Sequence, residues 1–80
     1  MKQEVIKLES RYKDVNSKLI QVENNKYLLE TNSKYIRISH TENRAISSID
    51  LEGGPMIDVG DTIQGKKIKS IKSQYVIEFE

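Results

Sequence analysis

All of this chain's glycines and its one proline fall between residues 53 and 65. LEGGPMIDVGD, residues 51–61, holds three of the four glycines and the proline, and Gly65 follows four residues later. Nothing before Gly53 carries either residue type. Glycine and proline are the residues that let or force a backbone to leave regular structure. The chain must therefore turn repeatedly in its last third and rely on Asn, Asp and Ser for turns before it. Gly53-Gly54-Pro55 reads as the end of one strand and the start of the next, and Gly60-Asp61 as a tight turn. The same glycines have a second use. Lacking a Cβ, Gly53 and Gly54 allow close approach of a ligand to the backbone and can aim N–H groups at an anion. Neither GxxxxGK[ST] nor GxGxxG is present, so the window is not a known nucleotide fingerprint.

Around that window the sequence predicts mostly strands. KLIQVE and KYLLET flank Asn24-Asn25, a pair suited to the positive φ of a two-residue hairpin turn. KYIRISH (34–40) alternates Ile36, Ile38 and His40 against Tyr35, Arg37 and Ser39. AISSIDLE (45–52), PMIDV (55–59), TIQGKKIKSI (62–71) and YVIEFE (75–80) follow, joined by short connections that favour antiparallel neighbours. In the last, Tyr75, Ile77 and Phe79 share one face, and Val76, Glu78 and Glu80 the other.

The first residues read differently. Val5, Leu8, Tyr12, Val15, Leu19 and Val22 recur at spacings of three and four, and Glu9–Lys13 and Asp14–Lys18 sit at i,i+4. This predicts a helix over residues 2–16, ended by Asn16-Ser17, with an additional strand pair as its rival. The expected fold is α+β: a single small domain with an N-terminal helix packed on a twisted antiparallel sheet or half-open barrel. The alternative is all-β.

Composition narrows the function classes. At 80 residues the core is thin, and such domains lean on disulfides, a metal or a partner subunit. Cysteine is absent and His40 is the one histidine, which excludes disulfides, thiolate sites and imidazole-built zinc sites. Self-association remains, so a homo-oligomer is expected. Thirteen basic against twelve acidic residues give +1, too little to neutralise many phosphates, so a nucleic-acid partner is not expected. The opening MKQEVIKLE interrupts any apolar run with charges, so neither a signal peptide nor a membrane helix is drawn from it, and a cytoplasmic location is expected.

Catalysis finds little support. His40 is the sole imidazole base, with Asp50 or Glu42 to orient it, and no nucleophile motif accompanies it. Asp50, Glu52, Asp58 and Asp61 match no catalytic or calcium-loop spacing and read as turn and edge residues. No cofactor is implied, and the chain reads as a non-enzyme. Ligand binding is better served. Lysine outnumbers arginine ten to three, so Arg11, Arg37 and Arg44 stand out. The segment RISHTENRAISS (37–48) holds two of them beside His40, and arginine's planar fork suits phosphate or carboxylate. Arg37, His40 and Arg44 are thus candidate anion contacts, Gly53 and Gly54 candidate N–H donors, and Tyr35 or Tyr27 candidate stacking partners for a base. The bland alternative places His40 half-buried with Ile36 and Ile38, and Arg37 merely over Tyr35. KKIKSIK (66–72) reads as a solvated edge whose lysines pair with Glu78 and Glu80.

SSIDLEGGPMIDVGDTIQGKKIKSI, residues 47–71, resembles small bacteriophage-encoded proteins of unknown function that share a SID-x-x-GGP-x-I-x-x-GD run and a closing strand. Isoleucine used eleven times against one alanine fits the A/T-rich codons of low-GC bacteria and their phages. The resemblance carries over no site residue. It implies a host-interacting protein acting in the host cytoplasm, one that binds a host enzyme or sequesters a nucleotide signal. Two functions follow as expectations: capture of a small anionic, nucleotide-like ligand, or a protein–protein module that inhibits or scaffolds a host macromolecule.

Overall fold

A computed structural model describes residues 3–80. The expected N-terminal helix is not there, and the fold is all-β among the described residues. The nine strands are β1 (Val5–Leu8), β2 (Ser17–Gln21), β3 (Lys26–Thr31), β4 (Ile36–His40), β5 (Ile46–Leu51), β6 (Met56–Asp58), β7 (Thr62–Ile63), β8 (Lys66–Ser73) and β9 (Val76–Phe79). Every pairing is antiparallel. Neighbours run β1-β2-β3-β9-β8-β5-β4, with β6 on β5 and β7 on β8.

The helix expected over 2–16, whose first residue lies outside the described ones, is replaced by β1 and an irregular segment, residues 9–16. Its i,i+4 pairs are worth only a few tenths of a kcal/mol each, and isolated helices of this length are marginal. Pairing β1 on β2 supplies ladder hydrogen bonds and fully buries Ile6 beside Leu19, its cross-strand partner. The residues of the helical stripe do not share a buried face: Leu19 is buried, while Val5, Tyr12 and Val22 are 49%, 57% and 46% exposed. Lys18 pairs with Glu30 across β2 and β3 rather than with Asp14.

The strands share one core among the described residues. Ile6, Leu19, Tyr27, Leu29, Ile49, Leu51, Ile57, Ile68, Ile71, Ile77 and Phe79 form it, and Tyr27 meets Phe79 edge to face at 5.0 Å. Alternation delivers these residues: Ile49 and Leu51 from β5, Tyr27 and Leu29 from β3, Ile77 and Phe79 from β9. Tyr75 departs from the expected face, lying 46% exposed before β9 begins.

The glycine window makes the turns expected of it. Gly54 N–H donates to Leu51 O at 2.8 Å with Gly53 at φ +78, and Asp61 N–H donates to Asp58 O at 3.1 Å with Gly60 at φ +95. In each case the residue two after the acceptor takes a positive φ, the type II requirement that glycine meets without strain. TIQGKKIKSI is divided between β7 and β8 by Gln64 (φ +50) and Gly65 (φ +82). The Asn24-Asn25 connection lies where expected but differs in form. It runs from Glu23 to Lys26 with no positive φ at either asparagine.

Candidate functional site

β4 and β5 face each other in a register that places Arg37 opposite Asp50 and Ile36 opposite Leu51. Glu52 N–H donates to Tyr35 O at 3.1 Å, so the pairing extends one residue further, to Tyr35 and Glu52. Side chains two apart on a strand share a face about 7 Å apart. Tyr35 and Arg37 from one strand, with Asp50 and Glu52 from the other, therefore form one four-residue patch.

The segment after β1 walls this patch. Arg11 N–H donates to Gly53 O at 2.7 Å, and the Tyr12 ring lies close enough to Gly53 that a Cβ there would stand 2.5 Å from Tyr12 Cδ2. Gly53 is thus required twice, for its positive φ and for the approach of Tyr12. The segment is held from behind by Asn32, whose Nδ2 donates to Asp14 O at 2.7 Å and whose Oδ1 accepts from Asn16 N–H at 2.7 Å. Between wall and patch runs a groove of about 760 Å³ floored by Leu51 and Gly53, with Arg11, Tyr12, Tyr35, Arg37, Asp50 and Glu52 around it. A smaller hollow of about 290 Å³ continues past Tyr12, Tyr35 and Glu52 towards Lys34. Both tyrosine rings are exposed, Tyr35 at 70%.

Its charges are not self-satisfied. Among the described residues the six ion pairs all join a lysine to a glutamate, and no arginine has a carboxylate within 4.0 Å. This holds even for Arg37, directly opposite Asp50. The lysine run, by contrast, is already paired. Lys66 pairs with Glu4, Lys67 with Glu80, and Lys69 and Lys72 with Glu78. The pairings with Glu78 and Glu80 match the sequence expectation. The edge position does not, since β8 lies between β9 and β5.

The sequence candidates separate accordingly. Tyr35, Arg37 and Gly53 meet in the groove. Gly54 lies beside it, buried against Leu51, with its N–H already donated to Leu51 O. His40 and Arg44 sit at the opposite end of the β4–β5 hairpin, roughly 10 Å or more along the strand from Arg37. Arg44, at φ +68, makes the tip turn by donating its N–H to Thr41 O at 2.9 Å. A bulge between Ser39 and His40 breaks the alternation, and His40 is exposed rather than half-buried with Ile36 and Ile38. Tyr27 is committed to the core, its Oη accepting from Lys66 Nζ at 2.7 Å, and cannot stack on a ligand.

Arg11, Tyr12, Asp50 and Glu52 are groove residues that sequence reasoning did not assign. Their signal was present: Arg11-Tyr12 repeats the Arg–Tyr pairing of Tyr35 and Arg37 in a chain with three arginines. Assigning Arg11 and Tyr12 to a helix hid it. Among the described residues no cluster of His, Asp or Glu is arranged to hold a metal ion, and no helix is long and apolar enough to cross a membrane.

Compared with known proteins, the chain matches no family model, no curated protein and no solved structure.

Proposed function

We propose that this protein is a non-enzymatic binding protein that captures a small anionic ligand of nucleotide type in the Arg11–Arg37 groove. The observation that carries this reading is the meeting of two arginines, neither in an ion pair within 4.0 Å among the described residues, with two exposed tyrosine rings over one hollow. Arginine forks bind phosphate oxygens in pairs, and tyrosine faces accept a flat base. The hollow's volume lies within the range of small-molecule sites. The action is sequestration in the cytoplasm, the host's if the chain is phage-encoded, by a small homo-oligomer whose second copy shields the open groove.

Calorimetric titration with a panel of nucleoside monophosphates tests it. Arg37→Ala and Arg11→Ala are each expected to weaken binding by roughly 10- to 100-fold, the worth of a charge-assisted hydrogen bond, with the fold retained by circular dichroism. Arg44→Ala, at the far hairpin tip, is expected to leave affinity unchanged. Absence of binding by the unmodified protein overturns the reading.

A second reading rests on β4, an edge strand of five residues carrying neither lysine nor proline. Such an edge accepts an added strand from a protein partner. This retains the protein–protein module and discards its helical version, since no such helix forms among the described residues. Co-purification that survives Arg11→Ala and Arg37→Ala but is lost on Ile38→Pro favours it.

A further inference from the structure

The groove's two arginines stand among two carboxylates, and that balance restricts what it can hold. Asp50 and Glu52 project on the same face as Tyr35 and Arg37, so the lining charges sum to about zero. A simple anion gains from Arg11 and Arg37 and loses to Asp50 and Glu52. Asp50 stands opposite Arg37 and Glu52 opposite Tyr35, so the occupant favoured here carries an anionic group beside Arg37 and hydrogen-bond donors towards Glu52. Neither carboxylate has a cation within 4.0 Å among the described residues. Ionised carboxylates are acceptors only, and two donors in a row satisfy both oxygens of one.

Granted nucleotide capture at this groove, we propose that its carboxylates read the base, selecting guanine, with Glu52 beside Tyr35 as the acceptor and Asp50 next to it. Guanine presents N1–H and the N2 amino group side by side, a donor pair that one carboxylate accepts in full. Hypoxanthine keeps N1–H and lacks the amino group. Uracil offers one N–H between two carbonyl oxygens, which a carboxylate repels. Tyr12 and Tyr35 flank the ring plane, and Arg11 and Arg37 take the phosphate. Glu52 and Tyr35 are tied through their backbones, so the acceptor and one stacking face are set at a defined separation.

Titrations of guanosine, inosine and uridine 5′-monophosphates and of inorganic phosphate, against the unmodified protein and an Asp50→Asn/Glu52→Gln variant, test the assignment. The unmodified protein is expected to prefer guanosine over inosine monophosphate by roughly 10-fold or more, and uridine monophosphate to be weaker still. In the variant the guanine preference falls towards unity while uridine monophosphate and phosphate bind more tightly, because two negative charges have left the groove. If all ligands tighten by one common factor, the carboxylates act only as charge and base reading is overturned, with nucleotide capture intact. Equal binding of the three nucleotides by the unmodified protein likewise overturns base reading and leaves capture standing. If none of the four ligands binds, capture itself fails and base reading with it. Thermal unfolding of the variant, expected to match the unmodified protein, shows that a changed ratio does not come from a changed fold.

Discussion

Two glycines in similar turns answer to different constraints. Gly53 and Gly60 both take positive φ, yet an added Cβ at Gly60 meets nothing within 4 Å while at Gly53 it meets the Tyr12 ring. Gly60→Ala is expected to cost about 1–2 kcal/mol, the penalty of a left-handed conformation for an L-residue. Gly53→Ala is expected to cost more, because Tyr12 must also leave the groove wall. Urea denaturation of the two variants checks the order, and equal losses would mean that the Tyr12 contact contributes nothing. Nucleotide titration should show Gly53→Ala alone weakening binding. Arg44 illustrates the limit of reading by neighbourhood. It lies within eight residues of Arg37 in the chain, yet the hairpin carries it to the far end of β4.

At the scale of elements, β1 is an outer strand of the sheet, held by β2 and by one tie to β8. Lys66 Nζ, at the start of β8, donates to Glu4 Oε1 just before β1 and to Tyr27 Oη of β3. The Lys66 hydrogen bond holds the Glu4 carboxyl below the ordinary carboxylate range, against a smaller opposing effect of desolvation. The bonds to Glu4 and then Tyr27 push the Lys66 ammonium above the ordinary lysine range. The unfolded chain therefore binds a proton at Glu4 more readily than the folded one. That stabilisation is full above the ordinary glutamate range and is lost as pH falls through it to the depressed value. Lys66 works in the opposite sense, contributing below the ordinary lysine value and losing its contribution as pH rises through the elevated one. Melting temperatures measured across the acid range should converge for the unmodified protein and Glu4→Gln as pH falls. A gap that stays constant with pH would show that the ionised Glu4 carboxylate does not contribute.

For the whole molecule, β9 is the element that makes one sheet out of two parts. It pairs with β3 on one side and β8 on the other, joining residues 26–28 to the chain's last strand. Phe79, 1% exposed and set against Tyr27, is expected to cost about 3–5 kcal/mol when replaced by alanine, most of the stability of a domain this small. Chemical denaturation checks this beside Lys69→Gln, an exposed neighbour in the same sheet that should change little. Far-ultraviolet circular dichroism of the unmodified protein should lack the paired minima of a helix. Much of this architecture was legible from the chain. The β4 strand follows from period-two alternation, β3 and β5 from the polar segments that flank them, and the Gly53 and Gly60 turns from glycine's tolerance of positive φ, all local properties. The lysine–glutamate pairing of the last hairpin was legible too, because β8 and β9 are adjacent in sequence. What local pattern could not decide was β1, where a helical spacing competed with a strand and the outcome depended on β2 being there to pair with. The groove was undecidable for the same reason. Arg11 and Tyr12 reach Tyr35, Arg37 and Gly53 only when the chain folds back across intervals of roughly 20 to 40 residues, and no spacing within a segment encodes that meeting.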